Sequence, residues 1–272
     1  MNEKFNDYTD LFTAEDIKIT IEDNFRKLTK GKDTAVQPRI VIFMGGLPGA
    51  GKSRAVENIK REHNSIIEVD IDQYRKYHPK ANDIFEIGEL PEVKAEEPSY
   101  YSIKTNKFAR RVSRGLLKKL REAGYNVIID GTLRNPRYAI RMARIFKKKG
   151  YASARVEIIA TDQNTAWDET QKRFIKETKK RDAEIATMGE SRTFPRAVGI
   201  EYFNSVVVTL PESIGELRKS GEFEQIRIVG RDGKEVYNSA KTPDLDPRGP
   251  LQQSIEGKSP SQIVKEPKIE AK

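Results

Sequence analysis

The feature that most constrains how this chain can fold is an apolar run that ends in a glycine-rich turn. Ile40, Val41, Ile42 and Phe43 are consecutive β-formers, the pattern of a strand buried on both faces. Behind them comes Gly46 to Ser53, GLPGAGKS, which matches G-x-x-x-x-G-K-S. Each part has a physical reason. Gly46, Gly49 and Gly51, with the small Ala50, let the backbone curl so that successive N–H groups point at phosphate oxygens. The helix expected from Lys52 to His63 adds its positive N-terminal dipole. Lys52 can reach the β- and γ-phosphates, and the Ser53 hydroxyl can ligate Mg²⁺. The complete motif between an apolar strand and a helix implies binding of a nucleoside triphosphate.

The rest of the chain extends this into an α/β fold. A phosphate-loop kinase-like architecture is expected, with a mostly parallel central sheet of about five strands and helices on both faces. Candidate strands are 40–43, Ser65 to Val69, Tyr125 to Asp130, Ala154 to Thr161 and Glu224 to Val229. Between them lie helical patterns. The first, Tyr8 to Lys30, has Ile17, Ile21, Phe25 and Leu28 at spacings of three and four and a capping signal at Thr13 and Asp16. Gly31 to Pro38 reads as a loop, and Lys80 to Pro98 as an irregular, acid- and proline-rich surface excursion. Tyr101 to Ala123 reads as a helix with Phe108, Val112, Leu116, Leu117 and Leu120 inward and a cap at Gly124. Helices are also expected over 136–149, 164–187 and 194–210, with a short one over 211–220. Asp232 and Gly233 mark a tight turn into Val236 and Tyr237. Residues 1–238 are expected to form one kinase domain with its N-terminal helix, and 239–272, proline-rich and charged, a disordered tail.

Composition narrows the function classes. With 272 residues, 36% apolar and 33% charged, the chain is long enough for a large core and polar enough to be soluble. No apolar run approaches a membrane span, and the N-terminus lacks a signal-peptide layout, so a cytoplasmic protein without membrane association is expected. The chain contains no cysteine, which excludes disulfides and thiolate metal sites. A net charge of +9 suits anionic ligands. The basic residues are scattered among nearly as many acids, so a nucleic-acid partner is not expected.

Three acidic residues stand at or just beyond strand ends, where open α/β sheets place their ligand crevice. Asp70 and Asp72 follow the second strand and are candidates for proton abstraction or Mg²⁺ ordering, while Asp70 could equally cap a helix. Asp130 closes the third strand and leads into Gly131-Thr132-Leu133-Arg134, either a Mg²⁺-ordering acid or the start of a pocket for a hydroxyl-rich substrate. Arg173 and Arg192 follow the fourth strand, in the part of the chain from which phosphate-loop kinases project arginines onto the triphosphate.

These residues give the chain a specific resemblance. D-I-D-x-Y-R-x-x-H-P (70–79), I-D-G-T-L-R (129–134), S-R-T-F-P (191–195) and F-x-x-I-R-I-x-x-R-D-G-K-x-V-Y-x-S (223–239) occur in an order and spacing similar to zeta toxins, the kinase half of epsilon/zeta toxin–antitoxin systems. The resemblance runs from about Leu28 to Ser239. It implies ATP-dependent, Mg²⁺-assisted phosphorylation of the 3′-hydroxyl of UDP-N-acetylglucosamine or a related UDP-sugar, which would block cell-wall precursor synthesis. It also implies that Lys52 and Ser53 hold triphosphate and metal, and that Asp72 is the general base. Arg173 and Arg192 would stabilise the transferring phosphoryl group, and Asp130, Thr132 and Arg134 would bind the acceptor. A small epsilon-type antitoxin covering the ATP site is the implied partner. Two positions depart from the family pattern: Asp130 stands where Glu is usual, and Arg114 where an acid facing the acceptor is usual. Two other readings stay open from the residues alone. One is a phosphate-loop kinase for another hydroxyl acceptor, such as an antibiotic, a nucleotide or a nucleic-acid end. The other is a nucleotide-binding partner protein with a decayed site.

Overall fold

The computed structural model describes residues 8–34, 38–97 and 99–257. Six strands are ordered β2-β3-β1-β4-β5-β6: β1 (Arg39–Gly46), β2 (Ile67–Asp70), β3 (Val127–Asp130), β4 (Tyr151–Ala160), β5 (Gln225–Gly230) and β6 (Glu235–Asn238). The pairs β1–β4, β2–β3 and β4–β5 are parallel, while β6 returns antiparallel to β5. The α/β class with a mostly parallel sheet is therefore as expected. The strand beyond the expected five is β6, which the Asp232-Gly233 turn makes possible. Gly233 has φ +88°, and Gly230 N–H donates to the Lys234 carbonyl at 2.8 Å.

The described residues gather into two compact units. One gathers the chain up to 36, 62–130 and 170–202; the other gathers 37–61, 131–169 and 203 onward.

In the first unit, α1 (Ala14–Thr29) begins with a capping box: Thr13 Oγ1 accepts from Asp16 N–H at 3.1 Å, and Asp16 Oδ2 accepts from Thr13 N–H at 2.7 Å. Its half-buried apolar stripe lies on the long α6 (Asn106–Ala123). A Cβ on Gly115 of α6 would stand 2.1 Å from Ile21 Cδ1, so the glycine is the seat for that side chain. The five α6 residues expected inward are all buried, and the helix ends at Gly124 with φ +85°. The stretch expected to be irregular instead folds into α3 (Ala81–Gly88) and α4 (Pro91–Glu96), and the helix expected from Tyr101 is divided at Thr105 into α5 (Tyr100–Lys104) and α6. Helices α3, α4 and α5 are each too short to show a helical period, and they hold together through one cluster of Ala81, Ile84, Phe85, Val93, Tyr100 and Tyr101.

The second unit contains most of α2 (Lys52–Glu62), all of α7 (Pro136–Lys147), the opening of α8 (Gln163–Met188), most of α9 (Ile200–Lys219) and α10 (Arg248–Ile255). The helix expected at Phe194 starts only at Ile200, and it runs unbroken through Pro211, where a break was expected. The expected disordered tail is corrected as far as Gly257. Ser239 exchanges hydrogen bonds with Ile226, its Oγ accepting from Ile226 N–H and its N–H donating to the Ile226 carbonyl, both at 2.9 Å. Beyond it α10 buries Pro250, Leu251 and Ile255 against β4 and β6. Leu251 and Ile255 are one turn apart, a pair too brief to register as a period in a proline-rich segment. The remainder of that expected tail, 258–272, lies outside the described residues.

Leu251 is fully buried. Its replacement by Ala should lower unfolding free energy by about 2 to 5 kcal/mol in urea denaturation, whereas a disordered tail would tolerate it without change.

Candidate active site

The phosphate loop belongs to the second unit. From Ile40 to Gly46 every residue of β1 is buried, which fixes the strand that delivers the loop. Gly46 has φ +137°, and a Cβ there would stand 2.7 Å from the Ile159 carbonyl oxygen of β4. No other residue type fits that approach. The loop turns on the Ala50 N–H to Leu47 carbonyl bond, 3.1 Å, and is pinned from β4's end by Thr161, whose buried hydroxyl donates to the Ala50 carbonyl at 2.9 Å. Gly51 follows at φ +92°, and α2 starts at once with Lys52. Lys52 Nζ donates to the Leu47 carbonyl at 3.1 Å and to the Gly46 carbonyl at 3.4 Å, which holds the ammonium over the loop. Ser53 is exposed on the first turn of α2. Its hydroxyl fits a Mg²⁺ ion that takes most of its ligands from substrate phosphates. Among the described residues no cluster of three His, Asp or Glu offers an all-protein cage.

Thr132 and Arg134 flank Leu133, whose φ of +54° is the one positive value among the described non-glycine residues. Its side chain is seated over Gly45 of β1, where a Cβ would come within 2.7 Å of Leu133 Cδ1. Thr132 is half-buried. Arg134 is exposed, donates from Nη1 to Ser205 Oγ at 2.9 Å, and accepts from Ser213 Oγ at its carbonyl, 2.9 Å. A residue to which sequence reasoning gave no role also reaches the loop. The Arg231 side chain passes 3.5 Å from the point a Gly51 Cβ would occupy, and pairs with Glu169 at 3.0 Å.

In the first unit, Asp70 and Asp130 end adjacent parallel strands in direct register. Asp70 caps the 3₁₀ helix Ile71–Tyr77, its Oδ1 accepting from Asp72 N–H at 2.9 Å. Asp72 is held by two guanidiniums: Arg75 Nε lies 2.7 Å from Oδ1, and Arg196 Nη1 2.5 Å from Oδ2. With 43% of the Asp72 side chain exposed, the carboxylate is braced yet reachable. Arg75 is itself buried, and it donates to the Ser102 carbonyl, Thr105 Oγ1 and Asn106 Oδ1. Arg173, on α8, lies within the field of Asp72 and Arg196. Loss of water lowers its pKa, as does the repulsion of Arg196.

The two aspartates diverge in acidity. Burial, then the charge of Asp72, raises the Asp70 pKa. Burial also pushes Asp72 upward, but Arg196 and then Arg75 outweigh it and hold the carboxyl below its ordinary range. His78, also in the D-I-D-x-Y-R-x-x-H-P stretch, is structural. Its Nδ1 accepts from Lys80 N–H at 3.1 Å, its ring packs edge-on to Phe12 and Phe108, and burial pushes its pKa down to about 4.

The structure thus brings Asp72 and Arg173 together in one unit, and Gly46–Ser53 with Thr132 and Arg134 in the other. Arg192 is exposed, and the arginine paired with Asp72 from that segment is Arg196. Sequence reasoning passed over both partners of Asp72. Arg75 stands three residues on, inside a quoted motif, and Arg196 directly follows S-R-T-F-P. Arg114 is exposed on the α6 face opposite the buried stripe.

The family model described as Zeta toxin matches residues 23–242. Toxin PezT of Streptococcus pneumoniae serotype 4 is 30% identical over 238 residues, 87% of this chain and 84% of that protein. Toxin zeta of Streptococcus agalactiae is 27% identical over 248 residues, 91% of this chain and 79% of that protein. A solved structure from the PezAT chromosomal toxin-antitoxin system of Streptococcus pneumoniae superposes with a TM-score of 0.72 at 25% identity, covering 95% of this chain and 94% of that one.

A carboxylate held below its unfolded pKa adds stability that is present above about pH 4 and lost as pH falls through the folded value. Arg196→Ala should therefore make Asp72 titrate at higher pH, followed through its carboxyl carbon by NMR. It should also reduce the stability that the parent loses on acidification from pH 5 to pH 2, measured by urea unfolding.

Proposed function

The chain belongs to the zeta toxin family, and from that premise we propose that it is an ATP-dependent kinase that phosphorylates the 3′-hydroxyl of the amino sugar of UDP-N-acetylglucosamine or a related UDP-sugar. The observation that carries this reading is the Asp72 carboxylate, reachable at the end of β2 and kept ionised by Arg75 and Arg196.

The phosphate loop receives the triphosphate on its backbone N–H groups, and Lys52 exchanges its two loop carbonyls for β- and γ-phosphate oxygens. Mg²⁺, when bound at Ser53, neutralises phosphate charge. The acceptor hydroxyl oxygen bonds to the γ-phosphorus as the bond to the ADP oxygen breaks, and the hydroxyl proton passes to Asp72. A carboxylate this acidic is a weak base early in such a loose transition state. It orients the hydroxyl first and takes the proton late. Charge spreading over the transferring oxygens is met by Arg196 and Arg173. Asp130, Thr132 and Arg134 hold the sugar nucleotide, with Asp130 one methylene shorter than the glutamate of the family pattern. This product would deplete a cell-wall precursor. A small antitoxin that covers the ATP site is the proposed partner, by likeness to the PezAT toxin-antitoxin system.

The purified chain should consume ATP with UDP-N-acetylglucosamine or another UDP-sugar and yield a phosphorylated sugar nucleotide by mass spectrometry. Asp72→Ala should lower turnover by about 10² to 10⁴, and Lys52→Ala should abolish it, both with the parent's circular dichroism. Unchanged ATP consumption in either variant would defeat the assignment. A product formed only from a non-sugar hydroxyl compound would move the chain to another acceptor class.

A further inference from the structure

Residues 189–199 join α8 to α9 without helix or strand, yet they carry Arg196, one of the two guanidiniums on Asp72. A long side chain on such a segment keeps its place only if the backbone beneath it is fixed. Here it is fastened from both flanks. Ser191 Oγ donates to Glu184 Oε2 at 2.5 Å, Thr193 Oγ1 donates to Glu184 Oε1 at 3.0 Å, and Arg181 Nη1 donates to the Thr193 carbonyl at 2.9 Å. Arg196 N–H donates to Glu177 Oε2 at 3.2 Å, and Gly199 N–H to Ser99 Oγ at 3.2 Å.

Between these ties sits one ring. Phe194 stacks on Tyr101 with centroids 5.0 Å apart and planes 12° apart, and meets Phe85 edge-on at 5.7 Å. The Arg181 guanidinium lies 4.2 Å from the Phe85 centroid and 5.3 Å from that of Phe194. Tyr101 is buried in the α3–α5 cluster, and the next residue, Ser102, offers its carbonyl to Arg75. The same short helix therefore fixes Arg75 directly and Arg196 through Phe194, two residues before it. This gives the S-R-T-F-P stretch a use apart from Arg192.

We infer that Phe194 is a positioning residue, whose stack on Tyr101 sets the Arg196 guanidinium against the Asp72 carboxylate. The inference rests on the kinase reading for its effect on rate, but not for its effect on Asp72. Displacement of a catalytic group by about 1 Å can cost about 10²-fold. Phe194→Ala should accordingly lower kcat for UDP-sugar-dependent ATP turnover by about 10- to 100-fold, with little change in KM for ATP. It should move the acidic limb of the rate profile to higher pH, and it should add nothing in an Arg196→Ala background. Phe194→Tyr, which keeps the ring, should behave as the parent. Phe194→Leu, which keeps apolar volume without the ring, should follow Phe194→Ala and serves if the alanine variant does not fold. NMR titration of Asp72 reads the same geometry without turnover, and should show the carboxyl titrating at higher pH in the ring-less variants. An unchanged Asp72 titration, or equal losses from removing the ring with and without Arg196, overturns the inference. If Arg196→Ala itself turns over at the parent rate, the catalytic reading of Arg196 fails, while the titration still decides the role of Phe194.

Discussion

A carboxylate that must remain charged in crowded surroundings sets the terms for much of the first unit. Removal of water alone would raise the proton affinity of Asp72, and only paired guanidiniums reverse the sign. Such a guanidinium is costly to bury without partners of its own. Arg75 meets this demand with the Ser102 carbonyl, Thr105 and Asn106, so the end of α5 and the start of α6 are arranged around it. Asp70, two residues before Asp72, has the opposite balance and is driven upward. Adjacent carboxyls with opposed acidities can divide the work. Asp70 terminates the strand and caps the 3₁₀ helix, which presents Asp72 at a fixed distance from the sheet.

In each unit the chemistry-bearing residues gather at the carboxyl ends of parallel strands, where side chains of the next turn can converge without breaking the ladder. Asp70 and Asp130 end β2 and β3 in the first, while Gly46 ends β1 and Arg231 follows β5 in the second. The motif I-D-G-T-L-R crosses from one unit to the other between Asp130 and Gly131.

What could be read from the sequence follows from how local each determinant is. The phosphate loop, the buried strands and the α6 stripe are written in continuous residues, and all appear as expected. Asp72 was legible because a strand end marks it. Arg196 was not, since nothing within its own segment reveals which side chain a loop turns inward. Arg192, four residues before Arg196, was the arginine that the sequence singled out, and it is exposed. Short helices were missed for a related reason: α3, α4 and α10 owe their form to a shared cluster or to a neighbouring sheet, with no period long enough to show. Pro211 misled in the other direction. A proline usually ends a helix, but burial of Val206, Leu210, Ile214 and Leu217 carries α9 through it.

Gly45 has no donor, acceptor or charge to lend to any reaction, and it lies one residue ahead of the phosphate-loop motif. Yet a Cβ there would meet Ile158 Cδ1 at 2.5 Å and Leu133 Cδ1 at 2.7 Å, so the glycine leaves the space in which Leu133, at φ +54°, packs beside Ile158. Thr132 and Arg134 flank Leu133 on either side of that left-handed bend. A side chain at this one position would have to displace Leu133 or Ile158, and so would bear on the segment that carries Thr132 and Arg134. The lie of that segment can therefore change while every residue with recognisable chemistry stays the same.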